Sequence, residues 1–220
     1  NKVNYKQDIQ KIIIRNGFDI KEQLLAMKFQ YNSLSKTWEK EIKTRGLSNK
    51  TNTVDAITVL KEEKPTQMLT TLGVFSESEI NSRYEILLDS YSKTIQVEAC
   101  TALKIAKNQI FPACLSYLNK ITQTANNLAV INANFDFIKE DVLELSNLLT
   151  VMKKRIKDLE FAIENVKAKK ADNFQKAKLW KDKVLSLMND LREVVDTLET
   201  KVDEKDWPMP TYIDLLFGIK

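Results

Sequence analysis

The residue types that most often carry enzyme chemistry are scarce in this sequence. Its 220 residues include no histidine, which removes the commonest general base, the Ser/His and Cys/His nucleophile pairs, and every zinc site that uses histidine. The four glycines, at positions 17, 46, 73 and 218, are isolated from one another, so the sequence has no glycine-rich phosphate loop. These observations argue against most hydrolase chemistry.

The two cysteines do not form a reactive pair. Cys100 and Cys114 occupy one strongly helical stretch, where fourteen residues correspond to about 21 Å at a rise of 1.5 Å per residue. That separation is far beyond the reach of a disulfide. Their neighbours are mostly small or apolar, so we expect two buried hydrophobic side chains in a reducing compartment, not nucleophiles.

Charged side chains form clusters that a solvated surface explains. Glu140 and Glu144 share one helix face, as do Glu160 and Glu164, but no His or Cys accompanies them, so we predict no metal site. The net charge is only +4, and acidic residues are interspersed among the basic ones, so we predict no nucleic-acid partner. The basic cluster comprises Lys153, Lys154, Arg155, Lys157, Lys167, Lys169 and Lys170.

The composition favours helices. Apolar residues make up 43% of the chain and charged residues 29%, as in globular proteins. The chain has only four glycines and four prolines, whereas average usage gives roughly 15 glycines and 11 prolines for this length. No apolar run approaches the length of a membrane span, so we expect no membrane partner and a cytoplasmic location. The predicted fold class is all-α: a long kinked helix and an antiparallel coiled-coil-like helical hairpin, joined with short connecting helices.

Five parts are predicted along the chain. Residues 1–34 form an N-terminal helical segment, and residues 35–75 form the short connecting helices. Residues 76–131 form the long helix, and residues 136–204 form the antiparallel hairpin. The remaining residues, 205–220, form a C-terminal docking tail.

The long helix has a clear start and one interruption. Ser76 and Glu79 form a capping box, in which each side chain binds a free backbone amide of the other residue. Pro112 lacks an amide hydrogen and its ring meets the carbonyl of Asn108, so a kink is predicted there.

The hairpin is predicted from a heptad repeat that runs without error over four heptads, and from a second apolar seam after a short break. Such a stripe is stable only against a partner helix. The packing seam comprises Val142, Leu145, Leu149, Met152, Ile156, Leu159, Ile163, Val166, Val184, Leu187, Leu191 and Leu198.

The tail is rich in proline and large apolar groups, so we expect it to be extended and to dock onto another surface. Its candidate docking residues are Trp207, Pro208, Pro210, Tyr212, Leu216 and Phe217. Taken alone, the residues indicate an all-helical packing and association module without a reactive centre. A stand-alone scaffold or adaptor that binds partners through its hairpin is one function for such a module.

Several segments, in order and spacing, resemble the C-terminal region of type III glutamine synthetase. They are Trp38-Glu39-Lys40-Glu41, Arg45-Gly46-Leu47, Gly73-Val74-Phe75-Ser76-Glu77-Ser78-Glu79, Arg83-Tyr84-Glu85, Tyr91-Ser92-Lys93-Thr94-Ile95, Glu98-Ala99, Ala106-Lys107-Asn108-Gln109-Ile110-Phe111-Pro112-Ala113 and Trp207-Pro208-Met209-Pro210-Thr211-Tyr212.

The resemblance implies a parent enzyme that joins ammonia to glutamate with ATP and Mg or Mn. In that family the catalytic, cofactor-binding and metal-binding residues lie in an upstream domain, so it assigns none of them to this chain. It implies that residues 1–34 join that catalytic domain, that the helical region packs on it and on neighbouring subunits, and that the parent is a homo-oligomer, a dodecamer.

Overall fold

The computed structural model describes residues 36–210 and 212–218, and over those residues it contains helices and no strands. The all-α prediction is therefore confirmed. The N-terminal helical segment predicted for residues 1–34 lies outside the described residues. The chain divides into two compact units, residues 1–52 and residues 53–220.

In the first unit, helix α1 (Lys36–Thr44) ends at a glycine. Gly46 has a φ of 68°, in the left-handed region where a Cβ is unfavourable. The side chain of Arg45 donates a hydrogen bond to Glu41 at 2.7 Å and closes the last turn.

The second unit begins with short helices, and the first of them contributes buried residues to its core. These are α2 (Thr53–Ile57), a 3₁₀ turn (Thr58–Lys61) and α3 (Glu63–Thr71). Val54 in α2 is 1% exposed, so this segment is more than a connector. The small cluster that it joins comprises Val54, Ile57, Tyr84, Leu88 and Ala177.

A long helical rod follows, built from α4 (Glu77–Ile105), a π-helical turn (Ala106–Ile110) and α5 (Phe111–Val130). The irregularity expected at Pro112 takes the form of this wide turn, which lies just before the proline. There the amide of Phe111 bonds the carbonyl of Ala106, five residues back, and such turns are recognised causes of helix bending.

The start of the rod is a capping box, as predicted. The amide of Glu79 donates to Ser76 Oγ at 3.3 Å, and the amide of Ser76 donates to Glu79 Oε2 at 2.8 Å. The hydrogen bond from the Ser76 amide, and a second one from Ser76 Oγ at 2.8 Å, lower the pKa of the Glu79 carboxyl.

The hairpin and tail complete the unit. The hairpin consists of α6 (Asp136–Ala168), then α7 (Asn173–Leu179), a second π-helical turn (Trp180–Leu185) and α8 (Ser186–Glu199). The tail ends in a short helix, α9 (Tyr212–Phe217).

These rods pack as a three-helix bundle with alternating direction. Lys107 of the first rod pairs with Glu160 of α6 at 2.7 Å, and Glu144 near the start of α6 pairs with Lys201, just beyond α8, at 2.7 Å. Helix α6 thus packs against both α5 and α8. The expectation of a two-helix hairpin seam was incomplete, because a heptad pattern identifies a buried face without stating how many helices cover it.

Candidate packing seam and docking tail

The seam residues of α6 lie together in the bundle core. Seven of the eight are buried, whereas Val142, nearest the start of the helix, is half-buried. Met152 and Leu159 are 0% exposed, so the middle of the seam is fully covered. The buried seven are Leu145, Leu149, Met152, Ile156, Leu159, Ile163 and Val166.

The other half of the seam comes from the α7–α8 rod. Val184, Leu191 and Leu198 are buried in the same core, and Leu187 is half-buried beside it. The indole of Trp180, in the second π-helical turn, is also buried there, at 3% exposed.

The long rod supplies residues that belong to the same core but not to the predicted seam. Their signal in the sequence was an apolar stripe that includes small residues, which permit a close helix neighbour. These residues are Ile95, Ala99, Ala106, Ile110 and Cys114.

The first part of the tail lies on the bundle. Trp207 and Met209 are half-buried against the core, while Pro208 and Pro210 are exposed. Lys120 forms a salt bridge at 3.1 Å with Asp206, the residue directly before Trp207. The hydrogen-bonded carboxylate of Asp206 raises the pKa of Lys120. Met209 is not among the docking residues predicted from the sequence, although it lies between two of them, Pro208 and Pro210.

The end of the tail is exposed. Leu216 and Phe217 are 74% and 69% exposed on α9, so neither packs on the bundle. Tyr212 begins the same helix, and its side chain lies outside the described ones. The tail therefore has a docked part around Trp207 and an undocked apolar end.

The described residues include no group of three or more His, Cys, Asp or Glu side chains that could hold a metal ion. Cys114 is 0% exposed, and burial raises the pKa of its thiol to about 11, so this thiol is almost entirely protonated near neutral pH. Cys100 is half-buried, and Lys167 Nζ donates a hydrogen bond to its Sγ at 3.4 Å.

Clefts lie at several places on the surface of the bundle. One of about 470 Å³ lies at the end where α6 begins, beside Tyr117 and Phe137, and Glu144 on its wall is hydrogen-bonded to Lys201. Another, of about 400 Å³, is an apolar groove between the long rod and α8, beside Ile110 and Met188 and both π-helical turns. Apolar faces and paired charges of this kind suit a surface that packs against another protein surface.

Within the described part of the chain, no helix combines the length and the apolar character that crossing a membrane requires.

Residues 9–129 match the model of the glutamine synthetase C-terminal domain, which is more than half of the chain. The chain belongs to this family. The matched part of the glutamine synthetase C-terminal domain runs through α1–α4 and nearly to the end of α5, and the resemblance seen in the sequence is confirmed.

Full-length relatives extend the match through the hairpin and tail. This glutamine synthetase C-terminal region is 28% identical, over 98% of its length, to the type-3 glutamine synthetase of Dictyostelium discoideum. It is 26% identical, over 90% of its length, to the glutamine synthetase of Bacteroides fragilis. The chain covers 30% and 28% of the length of those two proteins.

Proposed function

We propose that this chain is the C-terminal packing region of a type III glutamine synthetase, which ligates ammonia to glutamate with ATP. The observation that carries the proposal is the family match over residues 9–129, together with relatives that are named glutamine synthetases. The chemistry would be performed by a catalytic domain outside this chain, with its own ATP and Mg or Mn. The cytoplasm is the proposed location.

Packing on that catalytic domain and on neighbouring subunits is the proposed work of the helices. In support, some large apolar side chains are not buried in the core of the bundle, and a group of them lies at the end of the tail. Leu215, Leu216 and Phe217 are 67%, 74% and 69% exposed on consecutive positions of α9. Contiguous exposed apolar residues are typical of surfaces that bind another protein.

The activity is tested with two preparations. The 220-residue chain, incubated with glutamate, ammonia, ATP and Mg²⁺, should form no glutamine, whereas the complete product of its gene should form it. Turnover by the chain alone would contradict the division of labour proposed above. Absence of turnover from the complete gene product, with intact binding to other proteins, would favour the scaffold or adaptor function.

The packing role is tested in the complete gene product with Leu216→Asp/Phe217→Asp. These side chains are exposed, so the bundle itself should remain folded, but the assembly should lose mass in light scattering because charges cannot enter an apolar contact. A matched control is Val130→Asp, which changes a residue that is 81% exposed at the end of α5. Unchanged assembly of the tail variant would refute docking by α9.

A further inference from the structure

A cysteine and a lysine from two different helices are in contact at the surface of the bundle. Lys167 Nζ donates a hydrogen bond to Cys100 Sγ at 3.4 Å, and the contact joins α4 to the last turn of α6. Cys100 is half-buried and Lys167 is exposed, so a small solute can reach the sulfur. The sequence led us to expect two buried thiols, but the structure fully buries only Cys114.

The position of this pair is fixed by the core beneath it. Ala99, next to the cysteine, is 0% exposed, and Val166, next to the lysine, is 3% exposed. Both belong to the same hydrophobic core, so the two backbones cannot separate here without opening the bundle. Only the flexible side chain of Lys167 has to adjust for its nitrogen to reach the sulfur.

The surroundings of the pair suit an oxidisable thiol. Neither Lys167 nor Glu164, one turn earlier on the same helix, forms a salt bridge within the part of the chain that the structure describes. The ammonium group is therefore not drawn away from Cys100 by a carboxylate. Partial exposure beside a cationic group is the setting in which cysteines react with oxidants.

We propose that Cys100 and Lys167 form a modification site, at which a peroxide oxidises the thiol and the lysine then closes a covalent bond to the sulfur. First, the sulfur attacks the peroxide: the S–O bond forms, the O–O bond breaks, water leaves, and Cys100 becomes a sulfenic acid. The sulfur loses two electrons and the peroxide gains them. Next, Lys167 releases one proton to solvent and its nitrogen attacks the sulfur. The S–N bond forms, the S–O bond breaks, and the hydroxyl leaves as water with a second proton from the nitrogen.

Proximity decides which group intercepts the sulfenic acid. Sulfenic acids condense with a thiol or with a nitrogen, and a group already in contact reacts far faster than the same group free in solution. Lys167 is in contact with the sulfur, whereas Cys114 lies about 21 Å further along the same rod. The bond would tie α4 to α6 across 67 residues, and a cross-link over a loop of that length stabilises the fold by restricting the unfolded chain.

Mass spectrometry of the reduced 220-residue chain after treatment with hydrogen peroxide tests the site. The intact mass should fall by two hydrogens, fragmentation should join the peptides that contain Cys100 and Lys167, and dithiothreitol should restore the starting mass. Cys114→Ser should give the same product, which excludes a disulfide between the two cysteines. In urea, the linked chain should unfold at a higher midpoint than the reduced chain.

Lys167→Arg is the decisive variant. It keeps the positive charge, but a guanidinium group does not lose its proton in proteins and cannot attack the sulfur. The linked product should fall about tenfold or more, and Cys100 should advance instead to the sulfinic acid, which dithiothreitol does not reverse. Lys169→Arg is the matched control, since this exposed lysine lies just beyond α6 and its replacement should leave the yield unchanged. Circular dichroism checks that each variant is folded.

Four outcomes would overturn the inference. Cys100 could stay unmodified by peroxide, or it could form sulfinic acid equally in the wild type and in Lys167→Arg, in which case the lysine intercepts nothing. A link that persists in Lys167→Arg would use another amine, and a linked peptide that retains an oxygen would exclude the direct S–N bond. None of these outcomes bears on glutamine formation or on assembly, so the proposed function is judged separately.

Discussion

Truncating Leu159 is the sharpest test of the packing seam. This side chain is 0% exposed at the centre of α6, so Leu159→Ala removes three buried carbon atoms, worth about 2 kcal/mol in transfer free energy alone. The space left between closely packed helices adds to this cost, and buried Leu→Ala substitutions span about 2–5 kcal/mol in total. We therefore expect a loss of about 3 kcal/mol in the free energy of unfolding.

Urea denaturation followed by circular dichroism and by fluorescence measures this loss. Trp180, 3% exposed in the same core, reports on the packing, and the two signals should change together if unfolding is two-state. The midpoint should fall while the slope with urea stays constant. In thermal melts the same change corresponds to roughly 6–12 °C for a unit of this size.

A matched substitution controls for the chemistry of the change. Leu115 lies on α5 and is 50% exposed, so Leu115→Ala should cost no more than about 1 kcal/mol. If both substitutions shift the urea midpoint equally, Leu159 is not in a tightly packed core and the assignment of the seam is wrong.

Three further predictions concern the cap, the thiols and the tail. Ser76→Ala should lower the free energy of unfolding, measured in urea, by about 1 kcal/mol. Because folding lowers the pKa of Glu79, the stability that its charge contributes should be fully present above the pKa of Glu79 in the unfolded chain and should be lost as the pH falls through its pKa in the folded chain. If the stability of the wild type and of Glu79→Gln depended on pH in the same way, this prediction would be contradicted. An aromatic disulfide reagent should modify Cys100 in the folded chain and Cys114 only in urea, since burial protects the latter and raises its pKa to about 11; rapid modification of both would refute that burial. Trp207→Phe should change the free energy of unfolding by less than about 1 kcal/mol, because the buried indole N–H has no hydrogen-bond partner among the described residues; a much larger loss in urea would reveal a bond to that group.

Local signals in the sequence predicted local structure well. The capping box at Ser76 follows from groups within a few residues of each other, so its geometry depends little on the rest of the fold. The heptad repeat likewise identified which face of α6 is buried, because burial of that face follows from helical periodicity.

The number of helices that cover the seam, and the part of the tail that docks on the bundle, could not be predicted in this way. The apolar face around Leu149 must be buried, but either one helix or two helices can bury it. Trp207 and Phe217 are both large and apolar, yet only Trp207 finds a surface on this chain. That difference depends on where the tail leaves α8, which no local pattern specifies.

The two π-helical turns, Ala106–Ile110 and Trp180–Leu185, have a consequence for how related sequences can vary in length. A turn of this kind accommodates one additional residue, and each residue of an α-helix rotates the following side chains by about 100°. Loss of a single residue at either turn would therefore leave a regular α-helix, and the residues that follow would still present the same side chains to the core. Homologues that are one residue shorter at these two places are expected to share the same core, with the apolar groove between the rods reshaped.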